Sequence, residues 1–247
     1  GPAGAGEQLS LVFAGGSSTG GAYQFGDEPE AFFAARAHAL LCSDLPPDTA
    51  LTTWNYGAGG RDTHVISRAI GPLLERTQAD ALVIYTGVND LLTETSNLTR
   101  RQREQQIAGD QVASSLSALG GRSRLITGLA LYSKGVGEQE AETVPEVPLP
   151  DARDNITTIA EAAPAAGARV VLSTQFVVPS RADLLETYWH MEQQVAEAAG
   201  AEVRFVDVRP DFEGLSPKAM LLDNNHFSRE GHEKLARALL DEVRWAL

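Results

Sequence analysis

The chain has 247 residues, 43% hydrophobic and 21% charged, proportions that suit a globular protein with a sizeable core. A formal net charge of −13 makes nucleic acid and anionic lipid surfaces poor partners, and a strongly anionic substrate would need local arginines such as Arg61. Cys42 is the single cysteine, which excludes an intramolecular disulfide and a cysteine-rich zinc site; no stretch is apolar for long enough to cross a bilayer as a helix.

Taken in chain order, residues 1–7 read as a tag remnant and linker; the sequence leaves the compartment open, with a lean toward a secreted, periplasmic or membrane-tethered soluble domain whose leader has been removed. Five short runs rich in β-formers follow, at 9–14, 50–55, 81–86, 168–174 and 203–208, each expected to be a strand covered on both faces. Helical patterns alternate with them at 28–43, at 62–77 with a break at Gly71-Pro72, and at 154–166, 181–199 and 228–246. Cys42, in an apolar stretch of the first helix, is expected to be a small buried hydrophobe. Asn97 and Asn155 each open a glycosylation tripeptide, a pattern that arises often by chance, and Asn155 falls inside a helical pattern.

Strands alternating with helices imply parallel pairing. The predicted fold is therefore α/β, a three-layer α/β/α sandwich on a central, mainly parallel five-stranded sheet, with one domain over 8–247. The segment 91–150 is longer than a simple crossover needs. Within it 99–119 reads as a long helix, 125–132 as helix or strand, and 134–150 as an acidic, proline-bearing loop. It could be a lid or cleft wall, or a structural embellishment.

Four separated stretches carry chemistry. After the first strand, Gly15-Gly16-Ser17-Ser18-Thr19 can raise a hydroxyl over the strand end, where open α/β sheets bind ligands. The same turn lacks the lysine of a phosphate-binding loop. It fits G-x-S-x-G with Ser18 as nucleophile, but that elbow needs several strands before it and only one precedes this turn. Asn55-Tyr56-Gly57-Ala58-Gly59-Gly60 closes the second strand, Gly87-Val88-Asn89-Asp90 the third, and Asp223-Asn224-Asn225-His226 precedes the last helix.

In this order the stretches resemble the G-D-S, N-x-x-x-x-G, G-x-N-D and D-x-x-H blocks of the SGNH, or GDSL-type, hydrolases, across essentially the whole chain. The resemblance implies a serine esterase with Ser17 as nucleophile, His226 as base and Asp223 as its orienting carboxylate. It also implies an oxyanion hole from Ser17, Gly60 and Asn89. One departure stands out: the aspartate of G-D-S is Gly16 here.

The implied activity is hydrolysis of a short O-acyl ester, O-acetyl foremost, on a carbohydrate or small molecule, through an acyl-enzyme and without cofactor or metal. An acyltransferase could use the same site with a sugar or metabolite hydroxyl as acceptor, and a non-catalytic carbohydrate-binding module is a further alternative. Arg61 and Gln175 are expected at the cleft mouth as substrate contacts. Tyr56, Tyr188 and Trp189 could stack on sugars or could be ordinary packing residues. Asp90 is expected to hold its loop, and His38, His64 and His190 to be satisfied or surface residues. Asp223, His226 and His232 could instead ligate a metal, but the serine turn would then go unexplained, and His232 is expected to be structural.

Overall fold

Parallel β-strands joined by helices organise the chain. The computed structural model describes residues 7–20, 28–91, 99–100, 102, 104–105 and 145–247. The sheet has five strands, β1 (Gln8–Gly15), β2 (Ala50–Gly57), β3 (Ala81–Tyr85), β4 (Arg169–Ser173) and β5 (Val203–Val206), in the order β2-β1-β3-β4-β5. Every pairing is parallel. Gly15 pairs with both Gly57 and Tyr85, so the carboxyl ends of the first three strands lie level. The first three sequence blocks leave the sheet at that common edge, and the fourth, on the loop before the last helix, meets them there through the contact of His226 with Ser17.

Side chains alternate across the sheet. Leu11, Phe13, Ala81, Val83 and Tyr85 share one core with Phe33, Ala37 and Leu41 of α2 (Phe33–Asp44) and Leu235, Leu239 and Val243 of the last helix. The opposite face carries Val12, Ala14, Leu82 and Ile84, also fully buried. The long helices α3 (Thr63–Thr77), α5 (Leu149–Ala165) and α6 (Pro179–Ala199) pack against one another and the sheet. Short helices α1 (Ser17–Gly20), α4 (Val88–Leu91) and α7 (Pro217–Met220), and the terminal α8 (Arg229–Ala246), complete the helices among the described residues.

Several sequence expectations need correction. β1 and β3 are buried on both faces, but β2 is an edge strand: it pairs only with β1, and Thr52, Trp54 and Asn55 are exposed. α3 runs through Gly71-Pro72 without a break. Both residues are exposed, so the hydrogen bond that proline forfeits is on the solvent side. A 3₁₀ turn (Pro29–Ala31) precedes α2, which starts only at Phe33. α5 begins at Leu149, inside the stretch expected to be loop. Cys42 is exposed, because the buried stripe of α2 runs through Ala34, Ala37 and Leu41 and the next position turns outward.

The chain divides into two compact units, one of Gly1–Leu91 with Leu149–Leu247 and one of Leu92–Pro148. In the second unit Thr99 and Gln102 cap each other reciprocally: Thr99 N–H donates to Gln102 Oε1 at 2.9 Å and Gln102 N–H to Thr99 Oγ1 at 3.3 Å. Arg100 donates to Glu146 through its backbone N–H at 2.8 Å and its guanidinium at 3.2 Å. Asn97, the expected element at 125–132, and most of 99–119 and 134–150 lie outside the described residues. No helix among the described residues is long and apolar enough to cross a membrane.

Candidate active site

β1 ends at Gly15, where a side chain would collide with the Tyr85 carbonyl and the Thr19 hydroxyl. The chain turns at once into α1, so Ser17 sits over the sheet's carboxyl edge while Ser18 and Thr19 point into the protein, both fully buried. Gly20 and Gly57 meet backbone to backbone, which only glycine permits, and bring the end of β2 against α1. Asn55 clamps the same junction: its Nδ2 donates to the Thr19 carbonyl at 2.8 Å and its Oδ1 accepts from Gly57 N–H at 2.9 Å.

The Asp223–His226 loop closes on itself by antiparallel pairing of Leu221 with Phe227, and Leu222 N–H donates to the His226 carbonyl at 2.7 Å. Asp223 Oδ1 accepts from the N–H groups of Asn225 and His226, each at 2.9 Å, while Oδ2 lies 2.6 Å from His226 Nδ1. His226 Nε2 lies 2.6 Å from Ser17 Oγ. Hydroxyl, imidazole and carboxylate thus stand in one hydrogen-bonded series. Partial burial alone would raise the Asp223 pKa, but the Asn225 N–H and the His226 ring and N–H outweigh it and hold the carboxyl below its ordinary range. Ser18 is not in the series; its hydroxyl donates to the Asn225 carbonyl at 2.8 Å.

Gly87, at φ +129°, turns the chain from β3 into α4. Asn89 on α4 donates Nδ2–H to the Arg61 carbonyl at 2.6 Å, and the same nitrogen lies against Gly16. Gly60, at φ +73°, sits on the exposed loop between β2 and Arg61. Asp90 is fully buried, with Oδ1 accepting from Thr63 N–H at 3.1 Å and Thr63 Oγ1 at 2.6 Å. It therefore ties α4 to the start of α3, one residue past the N-cap Asp62. Burial pushes the Asp90 carboxyl up to about 7; the Thr63 hydrogen bonds oppose that rise and the nearby Asp62 charge adds to it.

Gln175 and Arg61 make internal contacts, and Tyr188 and Trp189 take the packing alternative that the sequence left open. Gln175 is not at the cleft mouth: it is 3% exposed, and its Oε1 accepts from Val88 N–H at 2.8 Å. A buried N–H at the start of α4 needs an acceptor, and Gln175 provides it. Arg61 folds back on its own loop, donating to the Tyr56 carbonyl at 2.6 Å with its guanidinium 3.8 Å over the Tyr56 ring. Tyr188 and Trp189 are buried in α6, where the Arg209 guanidinium covers the Trp189 ring at 4.3 Å. They offer no sugar platform.

His232 lies in the core, fully buried between Phe32, Phe33 and Phe227, with Nδ1 accepting from Phe33 N–H at 3.3 Å. Burial, with the Arg36 and His226 charges, lowers its pKa to about 3, so the ring is neutral. Among the described residues no group of three or more His, Cys, Asp or Glu could hold a metal ion. His38 Nδ1 contacts Thr53 Oγ1 at 2.9 Å and His190 lies 3.4 Å from Glu186, both apart from the series.

Sequence reading alone missed the holds provided by Ser18, Asn55 and Gln175. Asn55 and Ser18 lie inside blocks already singled out, which was the available signal; nothing local marks Gln175 as buried.

A serine, a histidine and an aspartate bonded in series at the carboxyl edge of a parallel sheet define a serine hydrolase. The profile of the GDSL-like lipase/acylhydrolase family matches residues 13–234, and the chain belongs to that family. It is a serine esterase acting on ester substrates. No curated sequence matches the chain.

Solved structures with a similar fold include TesA, 15% identical at a TM-score of 0.62, with 97% of this chain and 100% of that one covered. Axe2, an acetylxylan esterase from Geobacillus stearothermophilus, is 20% identical at 0.61, covering 97% and 95%. LAE5, an α/β hydrolase from the metagenome of Lake Arreo, Spain, is 17% identical at 0.64, covering 97% and 96%.

Proposed function

We propose that the protein hydrolyses a short O-acyl ester, O-acetyl foremost, on a carbohydrate or small molecule, through an acyl-enzyme on Ser17. The observation that carries this reading is the 2.6 Å contact between Ser17 Oγ and His226 Nε2, with Asp223 2.6 Å from the other ring nitrogen. As Oγ attacks the acyl carbon, its proton passes to Nε2, and Asp223 holds the tautomer and stabilises the imidazolium. The carbonyl oxygen takes up the negative charge. The Ser17 and Gly60 N–H groups and the Asn89 amide are its donors, and each such donor is worth about 10²–10³ in turnover. His226 then returns the proton to the departing alkoxide. Water attacks the acyl-enzyme with His226 again as base, releasing the acid and free Ser17. Axe2, which shares the fold, is an acetylxylan esterase, and this supports acetyl on a carbohydrate as the first substrate to try.

The test is hydrolysis of 4-nitrophenyl acetate and of acetylated xylo-oligosaccharides, with fluorophosphonate labelling. Ser17→Ala should lower kcat by about 10³-fold or more and abolish labelling. Retained activity in Ser17→Ala with loss in Ser18→Ala would overturn the assignment.

A further inference from the structure

We propose that a groove between β2 and α3 holds the glycan chain of the substrate, with Trp54 as its stacking face. The inference rests on the carbohydrate reading above and adds a second place on the molecule where that substrate is held. The groove has a volume of about 330 Å³ and is lined by Trp54 and Tyr56 of β2 and by Ala69, Pro72, Leu73 and Arg76 of α3. Ligand pockets span about 300–1,000 Å³ and combine apolar walls with a few polar groups, as this one does. Trp54 is 37% exposed. The other two tryptophans are covered by arginines, Trp189 by Arg209 and Trp245 by Arg169 and Arg204. Among the described residues Trp54 has no such cover, and neither its indole N–H nor the Arg76 guanidinium has a protein partner. A sugar ring matches this lining: its C–H face lies on the indole, and its hydroxyls accept from the guanidinium and the indole N–H.

The groove is continuous with the site. Trp54 and Tyr56, two residues apart on one strand, project to the same side of β2. The Tyr56 ring lies under the Arg61 guanidinium, and the Arg61 carbonyl accepts from the Asn89 amide, so one end of the groove adjoins the loop that carries Gly60. Trp54 pairs with Val12, and Gly57 with Gly15, two residues before Ser17. At about 3.3 Å per residue, Trp54 stands roughly 10 Å below the edge over which Ser17 sits. A glycan lying along β2 therefore reaches that edge within a few sugar units. A protein partner fits less well, because it needs about 800 Å² of matched surface on each side and this is a narrow slot. A net charge of −13 also opposes a second copy of the chain.

The experiment compares the parent with Trp54→Ala, Trp54→Phe and Arg76→Ala. Xylohexaose binding is measured by calorimetry, and hydrolysis is followed on 4-nitrophenyl acetate and on acetylated xylohexaose. The parent should bind xylohexaose, and Trp54→Ala should weaken that binding by about tenfold, as loss of one aromatic anchor does. On acetylated xylohexaose kcat/KM should fall by a similar factor through KM, while on 4-nitrophenyl acetate, which has no glycan, it should stay within about twofold. Trp54→Phe, which keeps a ring, should recover part of the loss. Arg76→Ala, at an exposed position, should also weaken binding, and it decides the matter if Trp54→Ala does not fold. If the parent does not bind xylohexaose, or if Trp54→Ala and Arg76→Ala bind it as the parent does, the groove proposal fails; cleavage of acetylated xylohexaose by the parent would then leave the substrate reading standing. If the parent cleaves the aryl ester but not acetylated xylohexaose, the carbohydrate reading fails and the proposal with it. A parent dimer that Trp54→Ala dissociates, seen by light scattering, would assign the groove to a second copy and overturn the proposal.

Discussion

The Ser18 hydroxyl donates to the Asn225 carbonyl at 2.8 Å, joining residues 207 positions apart. Each is the chain neighbour of a member of the Ser17–His226–Asp223 hydrogen-bonded series, so this bond runs beside the Ser17–His226 contact and braces it. Ser18→Ala should lose about 1 kcal/mol of stability, the usual worth of one such bond. Its kcat should fall less than tenfold, because Ser17 and His226 keep their contact. Urea denaturation and aryl acetate kinetics check both; a loss as deep as that of Ser17→Ala would contradict the bracing role.

Asp223 serves two masters, its Oδ1 bonded to two backbone N–H groups and its Oδ2 to the imidazole. Asp223→Asn keeps an oxygen for the backbone but sets an N–H₂ against Nδ1, which favours the wrong tautomer. The expected outcome is a fold left intact by circular dichroism and a kcat lower by about 10⁴. A loss below tenfold would show that the aspartate does not orient the base.

Gln175→Leu removes the acceptor from the buried Val88 N–H, one residue before Asn89. An orphaned buried donor costs about 1–3 kcal/mol, and that loss should appear in denaturant midpoints. Because α4 carries Asn89, kcat should fall while KM moves little. Gln175→Glu, which retains an oxygen, should recover part of both. Unchanged kinetics in Gln175→Leu would sever this residue from the site.

Asp90 gives a pH dependence whose sign can be worked out. Its folded pKa, raised by burial to about 7 from the ordinary 3.8, means the folded state holds a proton that the unfolded chain releases earlier. This group's contribution to stability is full below the unfolded pKa and is lost as pH rises through about 7. The slope for one proton is at most about 1.4 kcal/mol per pH unit. Asp62, Glu192 and Tyr188 are the titratable neighbours that feel the same charge. Asp90→Asn keeps an oxygen for Thr63 and removes the ionisation, so its stability between about pH 5 and pH 8, followed by thermal melts, should be flatter than the parent's.

How much of this was legible beforehand depended on whether the signal was local. β1, β3 and β4 announce themselves because central parallel strands carry near-continuous apolar runs (Leu11–Ala14, Ala81–Tyr85 and Val170–Leu172), and the alternating burial of β2 marks an edge that its β-formers alone did not reveal. The serine turn, the Asn-Asp turn and the Asp-x-x-His loop could be picked out from short spacings, and the structure brings Ser17, His226 and Asp223 together and Asn89 beside Gly16. What could not be read was which way a side chain turns once helices pack. Tyr188 and Trp189 face inward, Cys42 faces outward, and Gln175 reaches across to α4 instead of into solvent. Those directions are set by contacts between distant segments, and no window of sequence contains them.

The carboxylate and the imidazole arrive on one four-residue loop that is closed by its own backbone pairing, whereas the serine comes from the far end of the chain. Imidazole and carboxylate therefore travel as a single cassette. Any shift of that cassette stretches the gap to Ser17 and leaves the spacing of His226 to Asp223 untouched, so wear on this site would first slow nucleophilic attack while the imidazole remained correctly aimed.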